Sequence, residues 1–114
     1  MKMRETSLEE ASLILKLLSD KTRLSMVGLL SKNDCCVCEF VEIFKMSQPA
    51  ISQHLRKLKD AGLVTERRSG QWIIYSLNHQ NVFYPLVRDV LNHIPDQGEK
   101  LVWLEKQGLR ISCD

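Results

Sequence analysis

The chain has 114 residues, 44% of them hydrophobic and 26% charged, a composition that fits one ordinary globular domain and excludes a largely disordered protein. Its apolar stretches are far shorter than the roughly 20 residues that cross a bilayer, and its first ten residues lack the apolar core of a secretory signal. We therefore expect a single domain over residues 1–114 that works in the cytoplasm, with no membrane partner. In that compartment the four cysteines are expected to be thiols or metal ligands rather than disulfides.

The net charge of +2 is unevenly distributed along the chain. The segment between Lys45 and Trp72 carries a local balance of +4, so the remainder carries −2. A basic segment on a nearly neutral protein is typical of a surface that contacts nucleic-acid phosphates, although a solvated surface can have the same composition. The basic residues of this segment are Lys45, Arg56, Lys57, Lys59, Arg67 and Arg68.

The first half of the sequence has the pattern of three consecutive helices. Ser7 followed by Glu10 fits a capping box at the start of the first helix, and leucines then recur at helical spacing. Apolar side chains at i, i+3, i+4 and i+7 over Val37–Phe44 indicate a short third helix with one buried face. Polar residues that can cap the second and third helices precede them, namely Ser19 or Asp20 and then Asn33 or Asp34.

A fourth helix follows the third after a very short connection. Ser47 is a good N-cap, Pro49 suits the first turn because no hydrogen bond is needed there, and Gly62 ends the helix. Two helices joined by about three residues, the second of them capped by serine, are typical of a helix-turn-helix. We assign this motif to residues 33–61.

The pattern then changes from helical to strand-like. The segments 63–68 and 71–77 are rich in β-branched and aromatic residues and are separated by Ser69-Gly70, which predicts a β-hairpin. A hairpin directly after such a helix is the wing of a winged helix, so residues 63–77 are predicted to form the wing. The predicted fold class is mostly α with a β-hairpin (α+β), a winged helix-turn-helix.

Two helical regions, the first helix and a later one, are candidates for a dimer interface. A last strong helix, predicted over 81–94 and ending before Pro95, has more apolar surface than so small a domain needs internally. One recognition helix contacts only a few base pairs, so useful specificity generally requires two copies. We therefore predict a homodimer formed through residues 1–18 and 81–94, with 96–114 as a C-terminal extension.

The fourth helix carries a polar strip beside its apolar face. With about 100° per residue, Gln48, Ser52 and Arg56 project together from this strip. Gln pairs well with adenine and Arg with guanine, whereas lysines suit phosphates. His54 borders the apolar face and is expected to be a hydrogen-bonded packing residue. The predicted contacts with double-stranded DNA, which require no cofactor, are Ser47, Gln48, Ser52, Gln53, Arg56, Lys57, Lys59, Arg67, Arg68 and Gln71.

Four segments follow one another along the chain: LSDKTRL at 18–24, CVCEF at 36–40, SQPAISQHL at 47–55 and AGLV at 61–64. In this combination and order they resemble the ArsR/SmtB family of metal- and metalloid-responsive repressors. The likeness extends from about Leu15 to Leu77, and more loosely to Ile94. The resemblance implies a homodimer that represses a resistance operon until an ion binds to it and releases it from operator DNA.

Three of the four cysteines, Cys35, Cys36 and Cys38, lie together at the predicted start of the third helix. Cysteine is often a small core hydrophobe, but three within four residues favour a binding site. Soft thiolates prefer soft ions, and a trivalent metalloid takes three sulfurs, so As(III) or Sb(III) fits as the inducer. Cadmium or zinc would need a fourth ligand, such as Cys113 or an acidic side chain.

The third sulfur ligand is open between Cys35 and Cys113. The resemblance implies a further cysteine three residues beyond the second one, and that position is Val41 here. In a regular helix Cys36 and Cys38 would point about 200° apart. We therefore expect an ion that binds both to unwind the first turn of the third helix and thereby displace the DNA-reading helix.

Two other functions could use the same thiols. Adjacent cysteines permit sulfenate or disulfide chemistry, so a thiol redox-responsive regulator of the same fold is an alternative. A thiol enzyme would need a Cys-x-x-Cys pair on a βαβ scaffold or a nucleophile oriented by histidine, and neither pattern is evident. We therefore expect a regulator rather than an enzyme.

Overall fold

Helices and one small sheet make up the molecule, as the sequence predicts. The computed structural model describes residues 7–110. None of the helices within that range has the length and apolar character needed to cross a bilayer. In chain order the elements are α1 (Leu8–Leu18), α2 (Lys21–Leu30), β1 (Cys35–Cys36), α3 (Val37–Phe44), α4 (Gln48–Asp60), β2 (Val64–Ser69), β3 (Trp72–Leu77), α5 (Tyr84–Leu91) and α6 (Gly98–Lys106).

The first two helices begin at capping residues that the sequence predicts. Ser7 Oγ accepts the backbone N–H of Glu10 at 3.1 Å, and Glu10 Oε1 accepts that of Ser7 at 3.3 Å. The capping box is therefore confirmed. Asp20, not Ser19, caps α2, because its carboxylate accepts the backbone N–H of Arg23 at 3.0 Å.

The start of α3 differs from the prediction. Asn33 and Asp34 do not cap this helix; its N-cap is Cys36, which has the extended conformation φ −92°, ψ 165°. The residues Cys35–Cys36 form the short strand β1, which pairs antiparallel with β3 so that Cys36 lies opposite Ile74. Pairing with a strand distant in the sequence thus holds the two cysteines extended and delays the start of the helix.

The pair α3 and α4 forms the helix-turn-helix. The connection is tight because Lys45 adopts a left-handed conformation with φ 54°. Ser47 Oγ then accepts a backbone N–H from the first turn of α4 at 3.3 Å, as expected of an N-cap. The inner face of α4 packs into the core through three fully buried side chains, Ile51, Leu55 and Leu58. The outer face of α4 is consequently left to solvent.

The sheet is antiparallel with the strand order β1-β3-β2, and β2 and β3 form the wing. Ser69 pairs with Trp72, so the turn residues are Gly70 and Gln71 rather than the predicted Ser69-Gly70. Gly70 has φ 62°, which glycine adopts without steric strain and which a two-residue hairpin turn requires. Both strands lie within one residue of their predicted positions.

Asparagine side chains hold the junction between α4 and the wing. Gly62 follows α4 with φ 77°. Its carbonyl oxygen accepts Nδ2–H hydrogen bonds from Asn78 at 2.9 Å and from Asn81 at 2.8 Å. Both asparagines come after the wing in the sequence, so the chain that leaves the wing is tied to the end of α4.

The last strong helix is shorter than predicted. It spans Tyr84–Leu91 rather than 81–94, because Asn81 Oδ1 accepts the backbone N–H of Phe83 at 2.7 Å and forms a turn in front of the helix. After Leu91 the chain continues in single turns to Pro95. The following helix, α6, packs against α2 and α3.

Candidate DNA-binding surface and thiol site

The outer side of α4 carries the polar strip that the helical wheel predicts. Gln48 Nε2 donates to Ser52 Oγ at 3.1 Å, so these two side chains share one face. Arg56 follows one turn later and is exposed. An amide, a hydroxyl and a guanidinium in a row are groups that can read base edges in the major groove.

His54 lies between this strip and the core and is a hydrogen-bonded packing residue, as predicted. Its Nδ1 lies 3.2 Å from Nη1 of Arg23 in α2, and Arg23 Nε also donates to the carbonyl of Leu17 at 2.8 Å. The Asp20 carboxylate accepts the backbone N–H of Arg23, which holds the pKa of Asp20 below its ordinary value. This network fixes α4 against the start of α2. The sequence analysis missed Arg23, although its place three residues after a capping Asp was a usable signal.

Several basic residues of this surface form ion pairs or hydrogen bonds with neighbouring groups. The Lys59 ammonium contacts the Glu66 carboxylate of β2, and this hydrogen bond raises the pKa of Lys59. Arg67 Nη2 lies 3.6 Å from Asp34 Oδ2, and Arg68 Nε donates to a backbone carbonyl at the wing tip at 3.2 Å. The other predicted contacts, all exposed, are Ser47, Gln53, Lys57 and Gln71.

Cys36 and Cys38 are brought together at the start of α3. They form a disulfide, with their Cα atoms 5.4 Å apart, where the sequence predicted thiols. The expected separation of about 200° is wrong for this pair, because Cys36 is an extended N-cap and not a helical residue. After reduction, two sulfurs in these positions can bind one ion without unwinding α3. The reason for expecting the first turn of α3 to unwind is therefore removed.

The other two predicted sulfur ligands are not part of this pair. Cys35 precedes Cys36 in β1, and successive strand residues point to opposite faces. Cys35 is fully buried in the core, and its Sγ donates to the carbonyl of Asn33 at 3.6 Å. Cys113 lies outside the described residues. Within residues 7–110 no group of three or more His, Cys, Asp or Glu side chains is placed to hold a metal ion.

Glu39 is a site residue that the sequence analysis missed. Its side chain is fully buried; Oε1 accepts the backbone N–H of Cys36 at 2.9 Å, and Oε2 lies 3.2 Å from Nε of Arg110. The sequence signal was a capping box in which Cys36 replaces the usual serine and Glu39 stands three residues later. The carboxylate therefore supports the backbone conformation that brings the two sulfurs together.

A surface groove connects the two sites. It has a volume of about 380 Å³, and its walls come from β1 and α3, from the start of α4 and from the wing. Its lining includes Cys36 and Cys38 as well as Gln48 of the polar strip and Gln71 of the wing tip. A group bound at the sulfurs would thus share this space with two predicted DNA contacts.

The sequence is similar to those of known bacterial regulatory proteins. Residues 20–66 match the family described as bacterial regulatory protein, arsR family. The arsenical resistance operon repressor of Staphylococcus xylosus is 45% identical over 93 residues, which cover 81% of this chain and 88% of that protein. The chain belongs to the arsR family of bacterial regulatory proteins.

Solved structures share the fold of this arsR-family chain. HlyU from Vibrio cholerae has a TM-score of 0.67 at 29% identity, covering 78% of this chain and 96% of that one. A homodimeric winged helix-turn-helix DNA-binding domain from Mycobacterium bovis has a TM-score of 0.62 at 26% identity, with 82% and 94% covered. The fold is therefore a winged helix-turn-helix, as predicted, and this arsR-family protein is a DNA-binding transcription regulator, not an enzyme.

Proposed function

We propose that this arsR-family protein is a homodimeric repressor of an arsenic-resistance operon. It binds operator DNA in the cytoplasm without a cofactor and releases it when As(III) or Sb(III) binds the thiolates of Cys36 and Cys38. The observation that carries the proposal is one groove lined by this pair and by Gln48 and Gln71. The arsenical resistance operon repressor of Staphylococcus xylosus, 45% identical, supports the choice of ion.

DNA binding rests on the helix-turn-helix of residues 33–61 and the wing of residues 63–77. Gln48, Ser52 and Arg56 would enter the major groove and read base edges. The surrounding residues would contact phosphates and position the protein without specifying sequence. These phosphate contacts are Ser47, Gln53, Lys57, Lys59, Arg67, Arg68 and Gln71.

The homodimer would use residues 1–18 and 81–94. Leu8 is 82% exposed and Leu15 is 48% exposed on α1 in the single chain. They lie seven residues apart, two helical turns, and so share a face. Apolar side chains of this size on one face are a candidate interface with a second copy. The homodimeric relative from Mycobacterium bovis supports the same assembly.

The third sulfur for As(III) is proposed to be Cys113 rather than Cys35. Cys35 is buried in the core on the other side of β1. Arg110, by contrast, contacts Glu39, the residue that caps Cys36. Cys113 follows Arg110 by three residues, which span at most about 10 Å, and its thiol from the same chain is the proposed third ligand. Residues 96–114 would then form an extension that completes the site.

We expect the bound ion to release DNA by displacing the wall of the groove. An ion held by Cys36 and Cys38 would change the position of the wall that carries Gln48 and Gln71. The ion can shift the equilibrium only if it binds more tightly to the free protein than to the DNA complex, and by reciprocity DNA then weakens ion binding.

Operator binding measured by fluorescence anisotropy tests the proposal. Under reducing conditions arsenite should weaken operator affinity of the wild type at least about tenfold, a typical coupling between two sites. The variant Cys36→Ser/Cys38→Ser should bind operator and ignore arsenite, whereas Cys35→Ala should respond like the wild type. An unchanged wild-type affinity contradicts the proposal. Release by cadmium or zinc but not by arsenite would identify a metal as the inducer instead.

A thiol redox-responsive regulator is the second candidate, and the disulfide between Cys36 and Cys38 favours it. One hydrogen peroxide would oxidise the two thiols to the disulfide and yield two water molecules. The same anisotropy assay distinguishes the candidates. DNA release by peroxide without arsenite, reversed by a dithiol reductant, supports the redox candidate, and release by arsenite with reductant present supports the metalloid candidate.

A further inference from the structure

We infer that Arg110 is a positioning residue for the thiol pair. Its ion pair with Glu39 holds the backbone of Cys36 in the conformation that keeps the Cys36 and Cys38 sulfurs adjacent. The inference deepens the proposed function, because the same pair is the proposed ion site, but its geometry does not depend on which ion binds.

The path of the chain explains how a residue so late in the sequence reaches α3. Helix α6 ends in a Schellman motif: Gly108, with φ 72°, donates its N–H to the carbonyl of Glu105 at 2.9 Å, and Leu109 donates to that of Leu104 at 3.1 Å. The chain is thereby turned back from the helix axis. Arg110 follows directly, and its guanidinium meets the Glu39 carboxylate in the first turn of α3.

The C-terminal segment contacts α3 at its other end as well. The ammonium of Lys45, which follows α3, lies 5.1 Å from the centroid of the Trp103 ring in α6, within range of a cation–π contact. Leu101 and Leu104 of α6 are buried in the body of the protein. The guanidinium of Arg110 is therefore attached to a packed helix rather than to a free tail.

Electrostatics gives this ion pair its effect on the sulfurs. The Glu39 side chain is fully buried, and that of Arg110 is 20% exposed. When the guanidinium is removed, the Glu39 carboxylate is no longer held in place by Arg110 and can turn away from the N–H of Cys36. The charge-assisted hydrogen bond to that N–H is then weakened. The pairing of β1 with β3 still holds Cys36 extended, but the first turn of α3 loses its tie to Cys36, so the Cys36 and Cys38 sulfurs are held together less firmly.

The equilibrium between the thiol pair and glutathione measures this positioning directly. Oxidised glutathione takes the two hydrogens of Cys36 and Cys38, which leaves the protein disulfide and two molecules of reduced glutathione. In Arg110→Met the equilibrium constant should fall about tenfold, as expected for loss of a hydrogen bond to a charged group. Arg110→Lys keeps a cation and should lose less. Lys32→Met, at a side chain that is 48% exposed and pairs with Asp96, should equal the wild type.

A double variant separates positioning from general stability. In Glu39→Gln/Arg110→Met the neutral amide oxygen can still accept the N–H of Cys36 and needs no cation. The equilibrium constant with glutathione should therefore recover most of its wild-type value. The inference would be overturned if Arg110→Met kept the wild-type equilibrium constant with glutathione, even with a lower unfolding temperature. It would also be overturned if the double variant had an equilibrium constant no higher than that of Arg110→Met. If Arg110→Met does not fold, Arg110→Lys and the double variant decide in the same way. Failure of the wild type to bind arsenite would defeat the proposed function but leave this measurement intact.

Discussion

Arg23 Nη1 lies 3.2 Å from His54 Nδ1, and this contact joins α2 to the helix that carries the predicted base contacts. Arg23 is in turn held by the carbonyl of Leu17 and by Asp20. A histidine beside the predicted base contacts is thus part of the support for α4.

Replacement of His54 should therefore lower stability without changing which sequence is read. We expect His54→Ala to reduce the free energy of unfolding by about 1–2 kcal/mol, because a partly buried hydrogen bond and its packing are lost. Urea unfolding measures this change, and Lys57→Ala, an exposed neighbour on the same helix, is the control. The His54→Ala protein should bind a set of operator sequence variants in the same order of affinity as the wild-type protein. A changed order would place His54 among the base-reading residues.

Arg56 and Lys57 are adjacent and exposed, but they should affect DNA binding differently. Arg56→Ala should cost about 1–3 kcal/mol of operator affinity and relax preference at one base position, because its guanidinium is proposed to read a base edge. Lys57→Ala should weaken all sequences alike and reduce the slope of log affinity against log salt by about 1, as expected for one lost phosphate contact. Anisotropy titrations at several salt concentrations on matched and mismatched operators separate the two patterns. The reverse pattern would contradict the assigned roles.

The pKa of Asp20 predicts how stability depends on acid. The backbone N–H of Arg23 holds this pKa below the ordinary value of 3.8, so the cap stabilises the folded state above that value and loses its effect as the pH falls through the folded pKa. Asp20→Asn keeps an oxygen that can cap α2 but does not titrate. Between about pH 5 and pH 2 the free energy of unfolding should therefore fall less in Asp20→Asn than in the wild type. Asp60→Asn makes the same change of charge at an exposed site and should follow the wild-type curve; parallel curves for all three proteins would refute the prediction.

Gly62 should tolerate a side chain poorly for two reasons. Its φ is 77°, and an added Cβ would lie 2.6 Å from Nδ2 of Asn81. We expect Gly62→Ala to reduce the free energy of unfolding by about 1–3 kcal/mol. Gly70→Ala is the matched control, because φ is 62° there but nothing lies within 4 Å of the added Cβ. Equal losses in urea unfolding would show that the contact with Asn81 contributes nothing.

The elements that sequence reasoning could predict are those determined by nearby residues. The capping box at Ser7, the N-cap Ser47 and the hairpin turn at Gly70 each depend on side chains within a few positions. The burial of Ile51 and its partners follows from helical periodicity alone. The packing role of His54 could be anticipated in the same way, from its place beside the apolar face.

The cysteine cluster could be recognised in the sequence, but the geometry of the Cys36–Cys38 pair could not be predicted. Cys36 is extended because β1 pairs with β3, and a two-residue strand has no periodicity to detect. The contact of Glu39 with Arg110 depends on how α6 packs, which local patterns do not encode. The prediction of a helical Cys36 therefore failed where a distant strand outweighed local propensity.

The pairing of β1 with β3 connects the thiol pair to the wing as well as to α4. Ile74 is opposite Cys36 on one side and opposite Arg67 of β2 on the other, so a single rung of the ladder crosses all three strands. This rung connects the backbone of Cys36 with that of Arg67 through Ile74. Under the proposed function, an ion that displaces Cys36 would therefore act on Arg67 of the wing as well as on Gln48 of α4, and would weaken the proposed contacts with the operator at two separate points.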